Sequence, residues 1–405
     1  MKAYKFVLIL MLCIASACSN PESDTFSAED LQQKLDEISA IDNYTLRTRE
    51  VDSLWNYLNQ TEQIPFVQDT TAFFFYKGYA DQVEWFGDFN FNTAENDGGA
   101  KGTLVRGTDL WYLKMHFPSD ARVDYKISVD GGNWIPDSEN PFVQWSGFGV
   151  NSELRMPNYK PEELKAEIAE AGNGTLTRPL KFNSQSLGYD VQYRVYTPVG
   201  YTEMTDVPVV YFLDGHEYLN RRLGGAYTLL NNMIHLGEIE PIIAVFVDSR
   251  SPSDLNTNNR IQEYSMNDDF SEFLTSELIP KIDSDYNTSI KAEDRALIGT
   301  SLGGLAATYI GFRHPEIIGN IGAQSPAYWY NDADIYTFVR SAKKAPQQVY
   351  ITSGTIGDNL NDAQRMKQLL NELNVDLKYT EVNEGHSWGN WSALIDDILR
   401  TFFEN

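Results

Sequence analysis

Between Arg295 and Glu316 the chain reads RALIGTSLGGLAATYIGFRHPE, an apolar run that stops at a Gly-Thr-Ser-Leu-Gly turn and resumes as a helix-forming stretch. Few architectures accept that transition. Gly299 and Gly303 leave room for a helix to pack closely on the strand that feeds it, and Gly304 adds another small residue at the crossing. The turn then holds Ser301 in a strained conformation at a sheet's carboxyl edge, above a helix N-terminus that favours a developing anion. Gly-x-Ser-x-Gly alone is a weak signal. The flanking strand and helix give it weight.

The surrounding pattern supplies such a sheet. From about Thr175 onward, apolar runs such as VPVVYFLDG, PIIAVFVDS, IGNIGAQSP and QQVYITSG alternate with helical stretches at about 268–285, 302–314, 361–374 and 391–403. Near-continuous apolar strands between helices imply an α/β fold with a mostly parallel sheet covered on both faces. Residues 63–160 have a different texture. TAFFFYKG, QVEWFGDFN, LWYLKMHFP and ARVDYKISVD are divided by Gly, Asp and Asn, which predicts a small antiparallel sandwich. Ahead of it, AEDLQQKLDEISAI and TLRTREVDSLWNYLNQ show helical spacing and read as a short helical pair within residues 18–62. Residues 161–174 read as a linker with one helical stretch, and 175–405 as the α/β domain.

The first seventeen residues read as a secretory signal, with Lys2 and Lys5 before the short apolar run FVLILMLCIA. Ala15, Ser16 and Ala17 before Cys18 resemble a bacterial lipobox, with Ala where Leu is usual, so Cys18 is expected to carry the lipid. An exported lipoprotein of the periplasm or outer membrane follows as the expectation. Cys13 and Cys18 are the only cysteines, so a body starting after them has no disulfide and no thiol nucleophile. The net charge is −25, which argues against nucleic acid as a partner, because phosphate binding needs basic clusters.

A serine hydroxyl needs a base, and the chain has five histidines: His116, His216, His235, His314 and His386. His386, in the loop NEGHSWGNW between the last strand and the last helix, is where a parallel sheet returns a residue to the serine. Asp358, in SGTIGDNLND after QQVYITSG, is the expected acid, with Asp362 as the fallback. The oxyanion donors are expected to be the backbone N–H groups of Leu302, next after the serine, and of His216 in FLDGHEY.

Several stretches together, namely FLDGHEY, RIQEYSMNDDFSEFLTSELIPKID, the serine turn, QSPAYWY and GHSWGNW, resemble the enterochelin (enterobactin) esterase group of the esterase-D-like α/β hydrolases. The likeness spans roughly residues 63–405. It implies an α/β-hydrolase domain preceded by an immunoglobulin-like, early-set sandwich, with Ser301 as nucleophile, His386 as base and Asp358 as acid. The helical pair falls outside it, and GTIGDNL matches the acid position only approximately. The same fold hosts feruloyl and acetyl-xylan esterases and acyltransferases, so fold alone does not choose a substrate.

Arg221, Arg222, Arg250 and Arg260 fall in loops on the expected active face and could receive an anionic substrate, unless Asp214, Glu217, Asp254 and Glu263 neutralise them; Arg260 and Glu263 stand at pairing distance on a helix, and Arg222, Arg260 and Glu263 are expected at the substrate site. Tyr328, Trp329 and Trp388 could stack on a sugar or phenolic ring, or serve as packing. The expectation is therefore a serine esterase needing neither metal nor organic cofactor. Its substrate would be a siderophore lactone or a feruloyl or acetyl ester of a plant glycan. An acyltransferase on the same residues and a non-catalytic glycan-binding lipoprotein are the alternatives.

Overall fold

The computed structural model describes residues 26–90, 99–147 and 149–404. The expected signal segment and Cys18 lie outside the described residues. Among the described residues, no helix is long and apolar enough to cross a membrane.

The C-terminal part is built on a nine-stranded sheet. Across it run Thr175–Leu176, Asp190–Thr197, Ile243–Asp248, Val209–Phe212, Arg295–Thr300, Asn320–Gln324, Gln348–Gly354 and Leu377–Val382, with Leu180–Asn183 pairing beside Asp190–Thr197. Ile243–Asp248 onward is parallel; Asp190–Thr197 joins antiparallel at one side. The central strands carry side chains into two separate cores, one on each face. Leu297, Leu305, Ile310 and Ile321 belong to the first, and Ala296, Ile298, Trp388 and Ile398 to the second. Burial on both faces explains why these strands read as unbroken apolar runs. The register pairs Thr300 with Gln324 and Gln324 with Thr352. Residues 301, 325 and 353–358 therefore emerge side by side at one sheet edge, where ligands of open α/β sheets collect.

The N-terminal part is a sandwich of two antiparallel sheets. One holds Phe66–Gln68, Thr71–Lys77, Leu110–His116 and Thr103–Leu104; the other holds Ala100–Lys101, Val83–Gly87, Arg122–Val129, Gly149–Arg155 and Val143–Ser146. Ala72, Phe74, Trp85, Trp111, Val123 and Tyr125 fill the space between them. The helical pair, Ala28–Ala40 and Tyr44–Gln60, packs on the sandwich. Leu31, Leu35, Ile38, Val51, Leu54 and Leu58 cover the outer face of the first sheet against Phe73, Phe75 and Leu110. That is why Phe73, Phe74 and Phe75 are all buried, where a one-sided strand would alternate. Each such ring contributes about 1.5–3 kcal/mol on full burial. Ser27 and Asn43 start the two helices by accepting from the N–H groups of Asp30 and Leu46.

Residues 161–174 correct one expectation: the connection contains only a short 3-10 turn, Ala169–Ala171, and no α-helix. The Asn232 side-chain amide donates to the carbonyls of both Leu164 and Ala166 at 2.7 Å, and Lys165 Nζ donates to the Leu223 carbonyl at 2.9 Å. These tertiary bonds hold the segment flat on the α/β domain and use carbonyls that a helix needs for itself.

Candidate active site

Ser301 occupies the turn between strand Arg295–Thr300 and helix Leu302–Arg313 with φ +55° and ψ −116°. A non-glycine residue there is strained by about 1–3 kcal/mol, and its surroundings must enforce it. They do. Its N–H donates to the Gln324 carbonyl at 2.8 Å, and its carbonyl accepts from Leu305 at 3.1 Å and Ala327 at 2.9 Å. A Cβ on Gly299 would run into the backbone of Gly303, so strand and helix meet this closely only because position 299 is glycine.

His386 and Asp358 complete a continuous row. His386 Nε2 lies 3.0 Å from Ser301 Oγ, and its Nδ1 lies 2.6 Å from Asp358 Oδ1. The Asp358 side chain is wholly buried. Its Oδ1 also accepts from the Asn359 N–H at 2.7 Å, and its Oδ2 accepts from the Gly354 N–H and from Ser325 Oγ, both at 2.6 Å. Trp391 Nε1 donates to Ser325 Oγ at 2.9 Å while its ring meets the His386 ring edge-on at 4.9 Å. The imidazole is thus fixed by a carboxylate at one nitrogen and an aromatic wall beside it. Asp362 lies elsewhere, accepting from Tyr336 Oη in the first turn of helix Leu360–Glu372.

The expected oxyanion donors both sit at helix starts. Leu302 opens its helix, so its N–H has no acceptor within that helix. His216 is the second residue of the short helix Gly215–Leu219, which follows Asp214 in the left-handed region at φ +55° and ψ +39°. Arg260 Nε donates to both Asp214 carboxylate oxygens at 2.9 Å, and Arg260 Nη2 donates to the Thr300 carbonyl at 3.1 Å. Arg260 therefore ties the His216 turn to the strand that carries Ser301. Gln324, Ser325 and the Thr300 backbone sit in the same layer, so the site rests on strands rather than on loops alone.

Residues 184–402 match the family model described as "Putative esterase". The chain belongs to this esterase family, and it is an esterase. It is 28% identical over 240 residues to the uncharacterized protein YjcH of Bacillus subtilis, covering 56% of this chain and 97% of that protein. It is also 28% identical to the iron(III) enterobactin esterase of Escherichia coli O6:H1, over 48% of this chain and 47% of that protein. Among solved structures, the enterobactin esterase FES of Shigella flexneri superposes with a TM-score of 0.67 at 18% identity, covering 83% of this chain and 94% of that one. The ferulic acid esterase AmCE1/Fae1A of Anaeromyces mucronatus superposes with a TM-score of 0.50 at 21% identity, over 60% and 96% of the two chains. The fold is that of an α/β hydrolase preceded by a β-sandwich.

In the esterase, the residues expected to bind substrate divide into two groups. Trp329 stands with 53% of its surface exposed and is anchored by Nε1 donating to Asn359 Oδ1 at 3.0 Å. Arg222 holds its guanidinium 4.2 Å over the ring of Trp145 from the sandwich, and makes no ion pair among the described residues. The other four are taken up by packing or by internal partners, the alternative the sequence left open. Tyr328 is fully buried, with its hydroxyl 2.7 Å from Thr308 Oγ1. Trp388 is buried against Tyr218 and Trp391, with Nε1 donating to Glu217 at 2.8 Å. Arg260 pairs with Asp214 and not with Glu263. Glu263 is buried and accepts from Tyr189 Oη at 2.9 Å; burial pushes its carboxyl up to about 8.

Two further cations of this face are also neutralised. Arg250 pairs with Asp248 at 2.7 Å and Arg221 with Glu167 at 2.6 Å. His216 Nδ1 lies 3.1 Å from Asp248 Oδ1. Burial pushes the Asp248 carboxyl up, but its bonds from Arg250 and His216 win and hold it well below the usual carboxylate range. Among the described residues, no group of three or more His, Cys, Asp or Glu side chains is placed to hold a metal ion.

Ser325 and Asn359 escaped the sequence reading. The signal was available: Ser325 follows strand Asn320–Gln324 as Ser301 follows its neighbour, and the Thr300–Gln324 pairing makes the two serines adjacent. It becomes readable only once the strand order is known.

Proposed function

We propose that the esterase cleaves carboxylic esters through an acyl-enzyme formed on Ser301. The carrying observation is the unbroken row from Asp358 through both nitrogens of His386 to Ser301 Oγ at the strained turn. Ser301 Oγ attacks the ester carbonyl carbon while its proton passes to His386 Nε2. Asp358 holds Nδ1–H and favours the imidazolium that forms. The amides of Leu302 and His216 receive the oxyanion, each such donor being worth about 10²–10³ in rate. The carbon–oxygen bond to the alcohol then breaks as His386 returns the proton to the departing oxygen. Water, deprotonated by the same nitrogen, attacks the acyl carbon; the bond to Ser301 Oγ breaks, the acid is released, and His386 returns the proton to Oγ.

For the substrate, the names of the relatives favour an ester of an aromatic acid or a catecholate lactone. The exposed ring of Trp329 and the guanidinium of Arg222 over Trp145, without an ion pair among the described residues, suit an aromatic, anionic ligand. A siderophore lactone and a feruloyl ester both meet that description. Export as a lipoprotein anchored through Cys18 is part of the same proposal and rests on the leader alone.

Turnover of methyl ferulate, acetylated xylan and ferric enterobactin by wild type and Ser301→Ala tests the reading. Hydrolysis of at least one of them by wild type only is the expected result. A Ser301→Ala enzyme as active as wild type removes it.

A further inference from the structure

The loop that carries His386 does not rest on the α/β domain alone. Three of its residues are gripped by the sandwich. Asn383 accepts the Arg122 N–H at its carbonyl at 3.0 Å, and its side-chain amide donates to Asp120 Oδ1 at 2.8 Å. Gly385 presses on the carboxyl of buried Asp88, so closely that a Cβ at 385 would overlap that side chain. Ser387 Oγ accepts from Arg122 Nη1 at 3.0 Å. The residues immediately before and after His386 thus both touch the other domain.

Arg122 is the centre of this contact. Its side chain is fully buried, and its guanidinium is shared among carboxylates of both domains. Nη2 pairs with Asp124, Nε lies 3.2 Å from Glu153 Oε1, and Nη1 lies 3.7 Å from Glu384 Oε2. Gly389 lies flat on the guanidinium, where any side chain would collide with it. Asp88 in turn accepts the Asp124 N–H at 2.7 Å, which ties the Gly385 contact to the Arg122 contact. A buried charge network of this kind is costly to assemble and holds one geometry only. Two of the bonds Arg122 makes, from Nη1 to Ser387 Oγ and from its backbone N–H to the Asn383 carbonyl, go to the His386 loop, while Asp124 and Glu153 hold the guanidinium from the sandwich side. Ser387 makes no capping bond to the helix it precedes, so its hydroxyl is left for Arg122.

We infer that Arg122 of the sandwich is a positioning residue for His386, clamping residues 383–389 so that the imidazole stays in line between Asp358 and Ser301. The sandwich is then a working part of the esterase centre and not only a separate module. This inference rests on the acyl-enzyme reading above and adds to it a role for the first domain.

The test is made on the full chain with Ser387→Ala and Arg122→Lys. Ser387→Ala removes one clamp bond; Arg122→Lys keeps the charge among Asp124, Glu153 and Glu384 but loses the fork. A fluorophosphonate that labels the reactive serine counts competent sites, and kcat and KM for p-nitrophenyl acetate are expressed per labelled site. The expected result is a fall in per-site kcat of roughly tenfold for Ser387→Ala and up to about 100-fold for Arg122→Lys, with KM unchanged. A residue that served folding alone would lower the number of labelled sites and leave per-site kcat intact. Per-site kcat within about twofold of wild type in Ser387→Ala overturns the inference, whether or not Arg122→Lys folds. Wild type that takes no label fails the Ser301 reading itself, a result distinct from either.

Discussion

Ser325 Oγ donates to Asp358 Oδ2 at 2.6 Å and accepts from Trp391 Nε1 at 2.9 Å, so a second serine orients the carboxylate that orients His386. Hydrogen bonds to a charged group contribute about 1.5–3 kcal/mol. Ser325→Ala is therefore expected to lower kcat roughly tenfold or more, with KM for a small ester little changed. Steady-state kinetics with p-nitrophenyl acetate checks it, and an unaltered kcat shows that Gly354 and Asn359 suffice to hold Asp358.

The strain at Ser301 should be measurable as stability. Ser301→Ala keeps a Cβ at φ +55°, whereas Ser301→Gly removes it. Both variants should be inactive, and the glycine form should be more stable than the alanine form by about 1 kcal/mol. Chemical denaturation of the pair gives the difference directly. Equal midpoints and slopes would mean that the turn is relaxed in solution.

Arg260 is expected to matter for folding rather than for ligand charge. Arg260→Ala leaves the buried Asp214 carboxylate without the N–H that both its oxygens share, a loss of about 3–5 kcal/mol when one member of a buried pair is removed. The melting temperature should fall clearly, and KM for neutral and anionic esters should change in the same ratio. A KM effect confined to anionic esters, with unchanged melting, would make Arg260 a substrate contact after all.

Glu263 gives a pH signature. Its folded value of about 8 stands above its ordinary 4.5 because burial disfavours the charged form. Between those values the folded chain binds more protons than the unfolded chain, so this group's contribution is fully present below about 4.5 and is lost as pH rises through about 8. Glu263→Gln, neutral at every pH, should flatten the fall in stability across that window. Urea unfolding of both forms from pH 5 to pH 9 checks it; parallel profiles would place the charge on Glu263 throughout.

Much of the active row was legible because its signals are local. The serine turn announces itself by glycines whose close approach only that strand-helix crossing demands. His386 and Asp358 follow from the rule that a parallel sheet delivers its loops to one edge. The residues whose roles the sequence left open share a common reason. Tyr328 and Trp388 lie in polar, turn-rich stretches that suggest exposure, yet Thr308, Tyr218 and Trp391 close over them from distant segments. Arg260 stands at helical spacing from Glu263, but the helix is short and Asp214 offers two oxygens. The expected helix in 161–174 lost to side chains of another helix.

What the sequence by itself determined is the alternation of strands and helices after residue 175, the identity of the serine turn, and the return of one histidine and one acid to it. Those follow from backbone periodicity and glycine placement, which act over a few residues. Which arginines are spent, which rings are covered, and that the sandwich reaches across to the His386 loop were decided only in three dimensions. Burial and ion pairing depend on which distant segments meet, and no local pattern encodes that the fully buried Arg122 ends against Ser387, 265 residues away.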